Sequence, residues 1–182
     1  GACIAIEEIY IGHPDTITFT PATVDITCPL GSDGEIEFGV VTGGDGGPYE
    51  YSIDGGSTYF VTSLFTGLPA GDYDLVVKDA NDCLGATTVT LDQPEEFEIY
   101  IDLEDLLCNS DNTGSILVAA DGANGPVFTY TIGATSSLTG AFAGLAANNY
   151  LIVIEDGIGC TIDSLVTISE PPILTAGYAI TH

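Results

Sequence analysis

Hydrophobic and polar residues alternate along most of the chain in short runs, and glycine, aspartate and asparagine separate the runs. In the first half of the chain the runs are ITFTPATVDIT, EIEFGVV, PYEYSI, TYFVTSLF, DYDLVVKD and ATTVTLD. A period of two is typical of half-buried strands, and frequent turn residues are typical of hairpins. The pattern therefore predicts an all-β, antiparallel sandwich of six strands, with no helix.

Two runs in the second half indicate which faces form the core. The alternating apolar positions of FEIYIDL and YLIVIED fall on one face of each predicted strand. These positions are Phe97, Ile99, Ile101 and Leu103 in the first run, and Tyr150, Ile152 and Ile154 in the second. We expect both faces to form the core.

The sequence contains an internal copy. The stretch from Phe65 to Pro94 returns from Phe142 to Pro171 at an offset of 77, and the stretch from Thr27 returns from Leu107 at an offset of 80. Self-similarity at a fixed period indicates an array of like modules, and about 80 residues is enough for each module to close its own core. We therefore expect a string of domains rather than a solenoid.

The copies set the expected domain boundaries. Residues 15–94 are repeat 1 and residues 95–171 are repeat 2, while residues 1–14 match the last strand of a preceding module and residues 172–182 the first strand of a following one. Prolines in the short joints DQPEEF and SEPPIL restrict the backbone. The expected assembly is a stiff, elongated rod of tandem modules, each adding about 35 to 40 Å.

The charge balance excludes two classes of partner. Lys78 is the one cation against 27 carboxylates, which gives a formal net charge of -26. Nucleic acids and anionic membrane surfaces are bound through clusters of Lys and Arg, so we expect neither as a partner. No apolar run has the length of a membrane span, so no membrane insertion is expected. An acidic surface keeps an extracellular protein soluble, or it binds cations.

Four of the five cysteines occupy repeated turn positions. If one strand lies between PYEYSI and DYDLVVKD, strand parity places the two cysteines of each repeat at the same pole. This parity predicts disulfides Cys28 with Cys83 and Cys108 with Cys160, and leaves Cys3 for an upstream partner. The competing pairing is Cys3 with Cys28 and Cys83 with Cys108. Disulfides indicate an oxidising, extracellular setting, whereas reduced buried thiols would indicate the cytosol.

A tyrosine begins the penultimate strand of each repeat. Tyr73 follows Leu-Pro-Ala-Gly-Asp, and Tyr150 follows Leu-Ala-Ala-Asn-Asn. This position resembles the tyrosine corner of immunoglobulin-like sandwiches, in which the hydroxyl bonds back to nearby backbone. The predicted role of both tyrosines is structural.

Several motifs together resemble a known family. They are Cys-x5-Gly-x-Ile, Gly-Gly-Pro-Tyr-x-Tyr-Ser-Ile-Asp-Gly-Gly, Leu-Pro-Ala-Gly-x-Tyr, Val-x-Asp-Ala-Asn-x-Cys and Val-Thr-Leu-x-x-Pro, all in repeat 1. The combination is similar to the SprB-type repeat of Bacteroidota surface proteins. Repeat 2 departs from it at residues 146–149, which read Ala-Ala-Asn-Asn, and in the GATSS segment after Ile132.

The resemblance implies a long, secreted, cell-surface chain of tandem immunoglobulin-like modules. Such chains are typically adhesins linked to gliding or attachment and are exported by the type IX route. The expected partners are neighbouring like modules, together with surface glycans or other cells. The alternative is a short subunit of an extracellular filament, in which terminal strands complete the sandwiches of neighbouring subunits by donor-strand exchange.

No residues in the sequence have the arrangement of an active site. His13 precedes a proline in a joint, and no Ser-His-Asp or Cys-His set repeats. Adjacent carboxylates such as Glu95 and Glu96 are typical of solvated charge. We therefore expect no catalytic residue, no enzyme activity and no cofactor apart from Ca²⁺.

Aspartates in turns are the candidate calcium ligands, because a carboxylate and a nearby carbonyl can both contact a hard cation. They are Asp33, Asp45, Asp54, Asp79, Asp82, Asp111, Asp121 and Asp156. None has the spacing of an EF-hand loop. For Asp79 and Asp156, the favoured role is to cap the final hairpin through side-chain hydrogen bonds.

Two tripeptides, Asp15-Thr16-Ile17 and Asp163-Ser164-Leu165, fit the Asp-Ser/Thr-apolar pattern of O-glycosylation that the family resemblance makes relevant. Thr16 and Ser164 are thus candidate glycosylation sites. An accidental tripeptide in a threonine-rich β protein is the alternative for each.

Overall fold

The computed structural model describes residues 12–177, and every regular element in that range is a β-strand. The strands are β1 Asp15–Thr18, β2 Ala22–Val24, β3 Gly34–Glu37, β4 Thr42–Gly44, β5 Glu50–Ser52, β6 Leu64–Leu68, β7 Gly71–Lys78, β8 Leu84–Leu91, β9 Glu95–Glu104, β10 Gly114–Ala123, β11 Phe128–Ile132, β12 Thr135–Ser137, β13 Ala141–Leu145, β14 Asn148–Asp156 and β15 Thr161–Ile168. All strand pairs within the sheets are antiparallel. The predicted all-β, antiparallel fold is confirmed.

The chain forms two compact units. Unit 1 contains the chain up to Ile26 and again Gly31–Asp92, and unit 2 contains Thr27–Leu30 and the chain from Gln93 onwards. The boundary near Asp92 lies close to the expected end of repeat 1. The segment 27–30 was not expected in unit 2, since its sequence lies inside repeat 1.

Unit 2 is a sandwich of two sheets. One sheet has the order β13-β10-β9 and the other the order β12-β11-β14-β15. Ile116 of β10 and Ile152 and Ile154 of β14 belong to one buried cluster, so the two sheets pack face to face. Burial of alternating apolar side chains stabilises this arrangement.

The predicted core face of β9 is correct at three of its four positions. Phe97, Ile99 and Ile101 pack against the core of unit 2. Leu103, near the end of the strand, is 38% exposed, so its predicted burial is wrong.

Unit 1 has the same arrangement with shorter strands. Its sheets have the orders β1-β4, β2-β3-β6 and β5-β7-β8, and its core contains Ile36 of β3 with Leu75 and Val77 of β7. Repeat 2 has one continuous strand, β9, where repeat 1 has β1 and β2 separated by Phe19–Pro21. Pro21 has no N–H to donate to a neighbouring strand, which accounts for the break.

The chain changes sheets between PYEYSI and DYDLVVKD, where one strand was predicted. In unit 1, Phe60 pairs with Tyr51 in one sheet, and β6 pairs with β3 in the other. In unit 2, β12 pairs with β11 and β13 pairs with β10. Gly140 permits the crossover, because it has a φ of +70° and a Cβ there would meet the Val118 carbonyl. Two elements therefore separate these strands, and the predicted parity is wrong.

The expected terminal strands lie mostly outside the described residues. This applies to residues 1–11, which include Cys3 and its predicted upstream partner, and to residues 178–182. Within the described range, Pro172–Gly177 is not in a strand.

Candidate functional site

A disulfide joins Cys28 and Cys160, with a Cα–Cα distance of 5.5 Å and a sequence separation of 132. Both residues belong to unit 2 in the structure. In the sequence, however, Cys28 lies in repeat 1 and Cys160 in repeat 2. The bond is therefore a covalent link between the two repeats. Cys83 and Cys108 are unpaired in the described part of the chain.

The predicted pairing of Cys108 with Cys160 is wrong, because β15 separates them. Cys160 immediately precedes β15, whereas the loop with Cys108 lies at the other end of β15, where Leu106 donates its N–H to the Ser169 carbonyl at 3.0 Å. Eight residues of antiparallel strand span about 27 Å. Cysteines can be bridged only when their Cα atoms lie within about 7 Å.

The predicted pairing of Cys28 with Cys83 fails for the same reason. Ile26 donates its N–H to Asp92 O at 2.9 Å, at the end of β8, while Cys83 immediately precedes the start of β8. The error follows from the parity argument, because the extra element between β5 and β7 reverses the direction of β7.

The segment 27–30 is held in unit 2 by hydrogen bonds as well as by the disulfide. Asn124 donates its side-chain amide to Thr27 O at 3.1 Å, and Leu30 donates its N–H to Gln93 Oε1 at 3.1 Å. Leu30 has a φ of 59°. A positive φ is uncommon for a leucine and needs surrounding contacts to hold it.

Asp156 organises the hairpin that presents Cys160. Its Oδ1 accepts the N–H of Ile158 at 3.0 Å and that of Cys160 at 2.8 Å. Its Oδ2 accepts the N–H of Asn124 at 3.2 Å and the side-chain amide of the same residue at 3.1 Å. The residue is only 5% exposed. This is the hairpin cap that the sequence favoured for Asp156.

Asp79 makes the equivalent cap in unit 1. Its Oδ1 accepts the N–H groups of Asn81 and Cys83, each at 2.9 Å, and its Oδ2 accepts the N–H of Asp45 at 2.9 Å. Asp45 lies in the loop between β4 and β5, and Asn124 lies in the equivalent loop between β10 and β11. Each donates its N–H to the capping aspartate of its unit. Sequence reasoning missed this role for both residues.

The caps lower the pKa of both aspartates. Burial raises the pKa of Asp156, but hydrogen bonds from Cys160, Asn124 and Ile158 outweigh burial and hold the pKa below the ordinary value of 3.8. For Asp79, the hydrogen bond from Asp45 lowers the pKa most, against burial, and the bonds from Cys83 and Asn81 add to it. Both groups are therefore carboxylates at neutral pH.

We expect Asp156→Ala to lower the free energy of unfolding of unit 2 by about 3 kcal/mol, because backbone N–H groups in a buried turn lose their acceptor. Urea unfolding followed by circular dichroism measures the change. Asp163→Ala, at an exposed position of β15, is the matched control and should change stability by less than about 0.5 kcal/mol. Equal effects of the two substitutions would contradict the cap.

The same cap predicts a pH dependence. Because the folded pKa of Asp156 lies below its unfolded value, its stabilisation is present above pH 3.8 and is lost as the pH falls through the folded pKa. Asp156→Ala should remove this contribution, so the difference between the variant and the unaltered protein should shrink in acid. A difference that is constant with pH would show that the charge of the carboxylate plays no part.

Three other candidate calcium ligands accept hydrogen bonds from residues close to them in sequence. Asp54 accepts the Ser52 hydroxyl at 2.6 Å and the Thr58 N–H at 2.9 Å, which lower its pKa to about 2. Asp111 caps its own turn by accepting N–H groups from Cys108 and Thr113. Asp121 accepts the neighbouring Gly122 N–H.

Two further candidates are located simply. Asp82 lies in the hairpin of unit 1 with a φ of 62°, and its carboxylate is 3.8 Å from the Lys78 amine. Asp33 lies in the loop that precedes β3.

Asp45, Asp79 and Cys83 are the one group in the described range whose ligand atoms all lie within 4.8 Å of one another. This group does not suit calcium. Calcium takes six to eight oxygen ligands, whereas a thiol suits softer metals and both oxygens of Asp79 already accept backbone N–H groups.

We therefore expect the midpoint of thermal unfolding to be the same in calcium and in a chelator such as EDTA. Differential scanning calorimetry on the full chain is the measurement. A midpoint that rises with calcium and falls with EDTA would contradict the assignment of these aspartates to hydrogen-bonded caps and turns.

Both predicted corner tyrosines make a local hydrogen bond. The Tyr73 hydroxyl donates to Pro69 O at 2.8 Å, and the Tyr150 hydroxyl donates to Ala146 O at 2.9 Å. Each bond closes the loop that leads into the penultimate strand, β7 or β14. These contacts fit the structural role predicted for the two residues.

The two candidate glycosylation sites differ in accessibility. Thr16 is exposed in β1. Ser164 is half-buried in β15, and its side chain lies on the same face as Ile162 and Val166, which pack against the core. A glycan at Thr16 is compatible with this structure, whereas one at Ser164 would displace side chains that pack on the core.

A groove of about 680 Å³ in unit 2 is lined by side chains such as Ile132, Phe142, Leu145 and Tyr150. No histidine, cysteine or carboxylate lines it. Threonine and tyrosine hydroxyls line the groove, but no histidine or carboxylate that could act as a base for them is among its lining residues.

The amine of Lys78 is engaged within unit 1. It lies 2.9 Å from the Glu50 carboxylate and 4.3 Å from the centroid of the Tyr59 ring.

No helix in the described range is long and apolar enough to cross a bilayer.

Comparison with known proteins bears on the repeats directly. The family model described as the SprB repeat matches residues 20–58 and again residues 101–133. The two matches fall at equivalent places in repeat 1 and repeat 2. No curated protein matches the chain. Both matched segments are therefore similar to the SprB repeat, which supports the resemblance drawn from the motifs.

Proposed function

We propose that this chain is a structural and adhesive segment of a long, secreted cell-surface protein, such as an adhesin, a stalk or an extracellular fibre. It has no catalytic role in this proposal. SprB repeats are structural repeats of cell-surface proteins of the Bacteroidota type, and the family is not a known enzyme family. This supports the surface location.

The disulfide between Cys28 and Cys160 is the observation that carries the proposal. Its two cysteines are 132 residues apart in the sequence. Tension applied to the ends of the chain passes through this bond, because the covalent path is the shortest one. The residues between the two cysteines are then shielded from extension. Such shielding suits a segment that transmits force and keeps its length.

Three strands remain on the tensioned path within the described range. These are β1 and β2, which precede Cys28, and β15, which follows Cys160. Strand β15 is held by eight consecutive residue pairs with β14. Strands β1 and β2 are held by shorter pairings with β4 and β3, whereas the core strands β10, β11 and β14 lie outside the path.

A rod is the shape that this function needs, and small-angle X-ray scattering tests it. Two modules of about 35 to 40 Å placed end to end give a radius of gyration of about 25 Å. A single compact globule of the same length gives about 16 Å. We expect the larger value and a peaked, asymmetric distance distribution. A value near the smaller one would contradict the stalk.

A further inference from the structure

The two unpaired cysteines of the described range are the repeat equivalents of the two paired ones. Cys108 follows Cys28 at the offset of 80, and Cys83 precedes Cys160 at the offset of 77. Cys28 and Cys160 form a disulfide, whereas Cys83 and Cys108 are unpaired. Residues 12–177 therefore contain one completed bond and an unpaired copy of each of its two halves.

The loop around Cys108 has the shape of the bonded loop around Cys28. Ser110 has a φ of 61° and Leu30 a φ of 59° at equivalent positions. Ser110 donates its N–H to Glu170 Oε2 at 2.8 Å, as Leu30 does to Gln93 Oε1 at 3.1 Å. A left-handed conformation at a residue other than glycine is uncommon. Its recurrence shows that the Cys108 loop is already in the conformation that the disulfide uses.

The hairpin around Cys83 likewise matches the hairpin around Cys160. The N–H of each cysteine donates to the capping aspartate, at 2.9 Å for Cys83 and at 2.8 Å for Cys160. In each unit the capping aspartate also accepts an N–H from a more distant loop. Asp45 donates to Asp79 in unit 1, and Asn124 donates to Asp156 in unit 2. The thiol of Cys83 is thus presented on a preformed scaffold.

Apolar surface accompanies the unpaired Cys108. An open pocket beside it is lined by Leu107, Pro171, Pro172, Ile173 and Leu174. Of these, Leu107 is 80% exposed and Leu174 is 95% exposed. Clustered exposed apolar side chains mark surfaces that contact other proteins.

We propose that Cys108 and Cys83 are the two halves of further disulfides of the Cys28–Cys160 kind, each completed by another module of this same repeat. Cys108 forms a disulfide with the cysteine of another module that is equivalent to Cys160. Cys83 forms a disulfide with the cysteine of a different module that is equivalent to Cys28. The inference rests on the proposed function as a repeat-built structural segment and supplies its partner. Tandem modules would then be cross-linked in series.

The chemistry needs an external oxidant. Two thiols lose two protons and two electrons to a small-molecule or protein disulfide through thiol–disulfide exchange, and that disulfide leaves as two thiols. Burial raises the pKa of Cys83, and the charges of Asp79, Asp45 and Asp82 raise it further. A protonated thiol reacts slowly, so we expect Cys83 to be oxidised slowly at neutral pH.

An extended chain tests the proposal directly. Residues 95–171 are inserted a second time after Pro171, which gives Cys108 a following module whose hairpin carries a copy of Cys160. After refolding in a glutathione redox buffer, we expect Cys108 to be linked to the added copy of Cys160, and the Cys28–Cys160 disulfide to be retained. Peptide mapping without reduction reads out both bonds.

The control is the same extended chain with Cys→Ser at the added copy of Cys160. There, Cys108 should react with iodoacetamide as fast as it does in the unextended chain. Equal reactivity of Cys108 in the extended chain and in this control would overturn the proposal. The retained Cys28–Cys160 bond shows that both chains have folded, and scattering on the unextended chain tests the rod separately.

The unextended protein gives a second measurement that does not depend on the insertion. The Cys83→Ser and Cys108→Ser variants, both also carrying Cys3→Ser, are mixed in the same redox buffer at high concentration. We expect disulfides between Cys108 of one chain and Cys83 of the other to predominate. Predominance of Cys108–Cys108 disulfides, which exposure alone would favour, would overturn the proposal.

Discussion

Pulling the oxidised chain from its two ends should give a contour length about 45 nm shorter than pulling the reduced chain. The Cys28–Cys160 disulfide encloses a sequence separation of 132 residues, and each extended residue contributes about 3.3 to 3.6 Å. Residues inside the loop cannot extend while the bond is intact, whether or not their sandwiches unfold. Single-molecule force spectroscopy with handles at both ends measures this difference.

The controls for the pulling experiment are two cysteine variants. Cys28→Ser should show the full contour length without any reductant. Cys108→Ser keeps the bond and should retain the short length. Equal contour lengths for the oxidised and reduced protein would mean that no bond encloses this part of the chain, and the proposed protection against extension would be wrong.

Cys28→Ser should lower the free energy of unfolding by up to about 5 kcal/mol. On the chain-entropy account, a cross-link between residues 132 apart removes this much conformational freedom from the unfolded chain. Serine nearly matches the size of cysteine, so the packing of the segment 27–30 changes little. Urea unfolding under oxidising conditions measures the loss, and the largest effect is expected in the transition of unit 2.

Cys108→Ser is the matched control for stability. Cys108 occupies the equivalent loop but is exposed and unpaired, so its substitution should change the free energy of unfolding by less than about 0.5 kcal/mol. Treating the unaltered protein with a reductant should reproduce the effect of Cys28→Ser. An unfolding midpoint of Cys28→Ser equal to that of the unaltered protein would contradict the contribution of the bond.

The strands and the duplication could be predicted from sequence because their signals are local. Alternation in β9 and β14 follows from burial of one strand face, and repeated cysteines, glycines and tyrosines follow from repeated turns. The corner contacts of Tyr73 and Tyr150 and the hydrogen bonds from each hairpin to its own capping aspartate also join residues close in sequence. Each strand, corner and hairpin turn is specified within about ten residues, so it could be predicted.

The disulfide could not be predicted because it depends on counting strands through a crossover. The run TYFVTSLF reads as one strand, yet Phe60 pairs with Tyr51 and β6 pairs with β3 in a different sheet. The Thr62 hydroxyl accepts the Leu64 N–H at 3.3 Å at this point. One added element reverses the direction of every later strand in the repeat. The second cysteine of each repeat therefore lies at the opposite end of the sandwich from the first. The signal available in the sequence was Gly140, which interrupts the equivalent run in repeat 2.

The roles of Asp45 and Asn124 were missed for a related reason. Asp45 and Asn124 lie in loops that differ in length between the two repeats, just before Gly47-Pro48 and Gly125-Pro126. The two residues therefore do not align in the sequence. Their N–H groups nevertheless reach equivalent caps, Asp79 and Asp156. These contacts join residues more than 30 positions apart, and the distance differs between the repeats. No repeated spacing in the sequence therefore indicates them.

The link between the two repeats is tested most directly by locating the disulfide in the oxidised protein. The chain is blocked with iodoacetamide, digested with a protease that cleaves after Glu and Asp, and analysed by mass spectrometry before and after reduction. The structure predicts a peptide pair that joins Cys28 to Cys160 and alkylated peptides for Cys83 and Cys108. Peptide pairs that join Cys28 to Cys83 and Cys108 to Cys160 would contradict it.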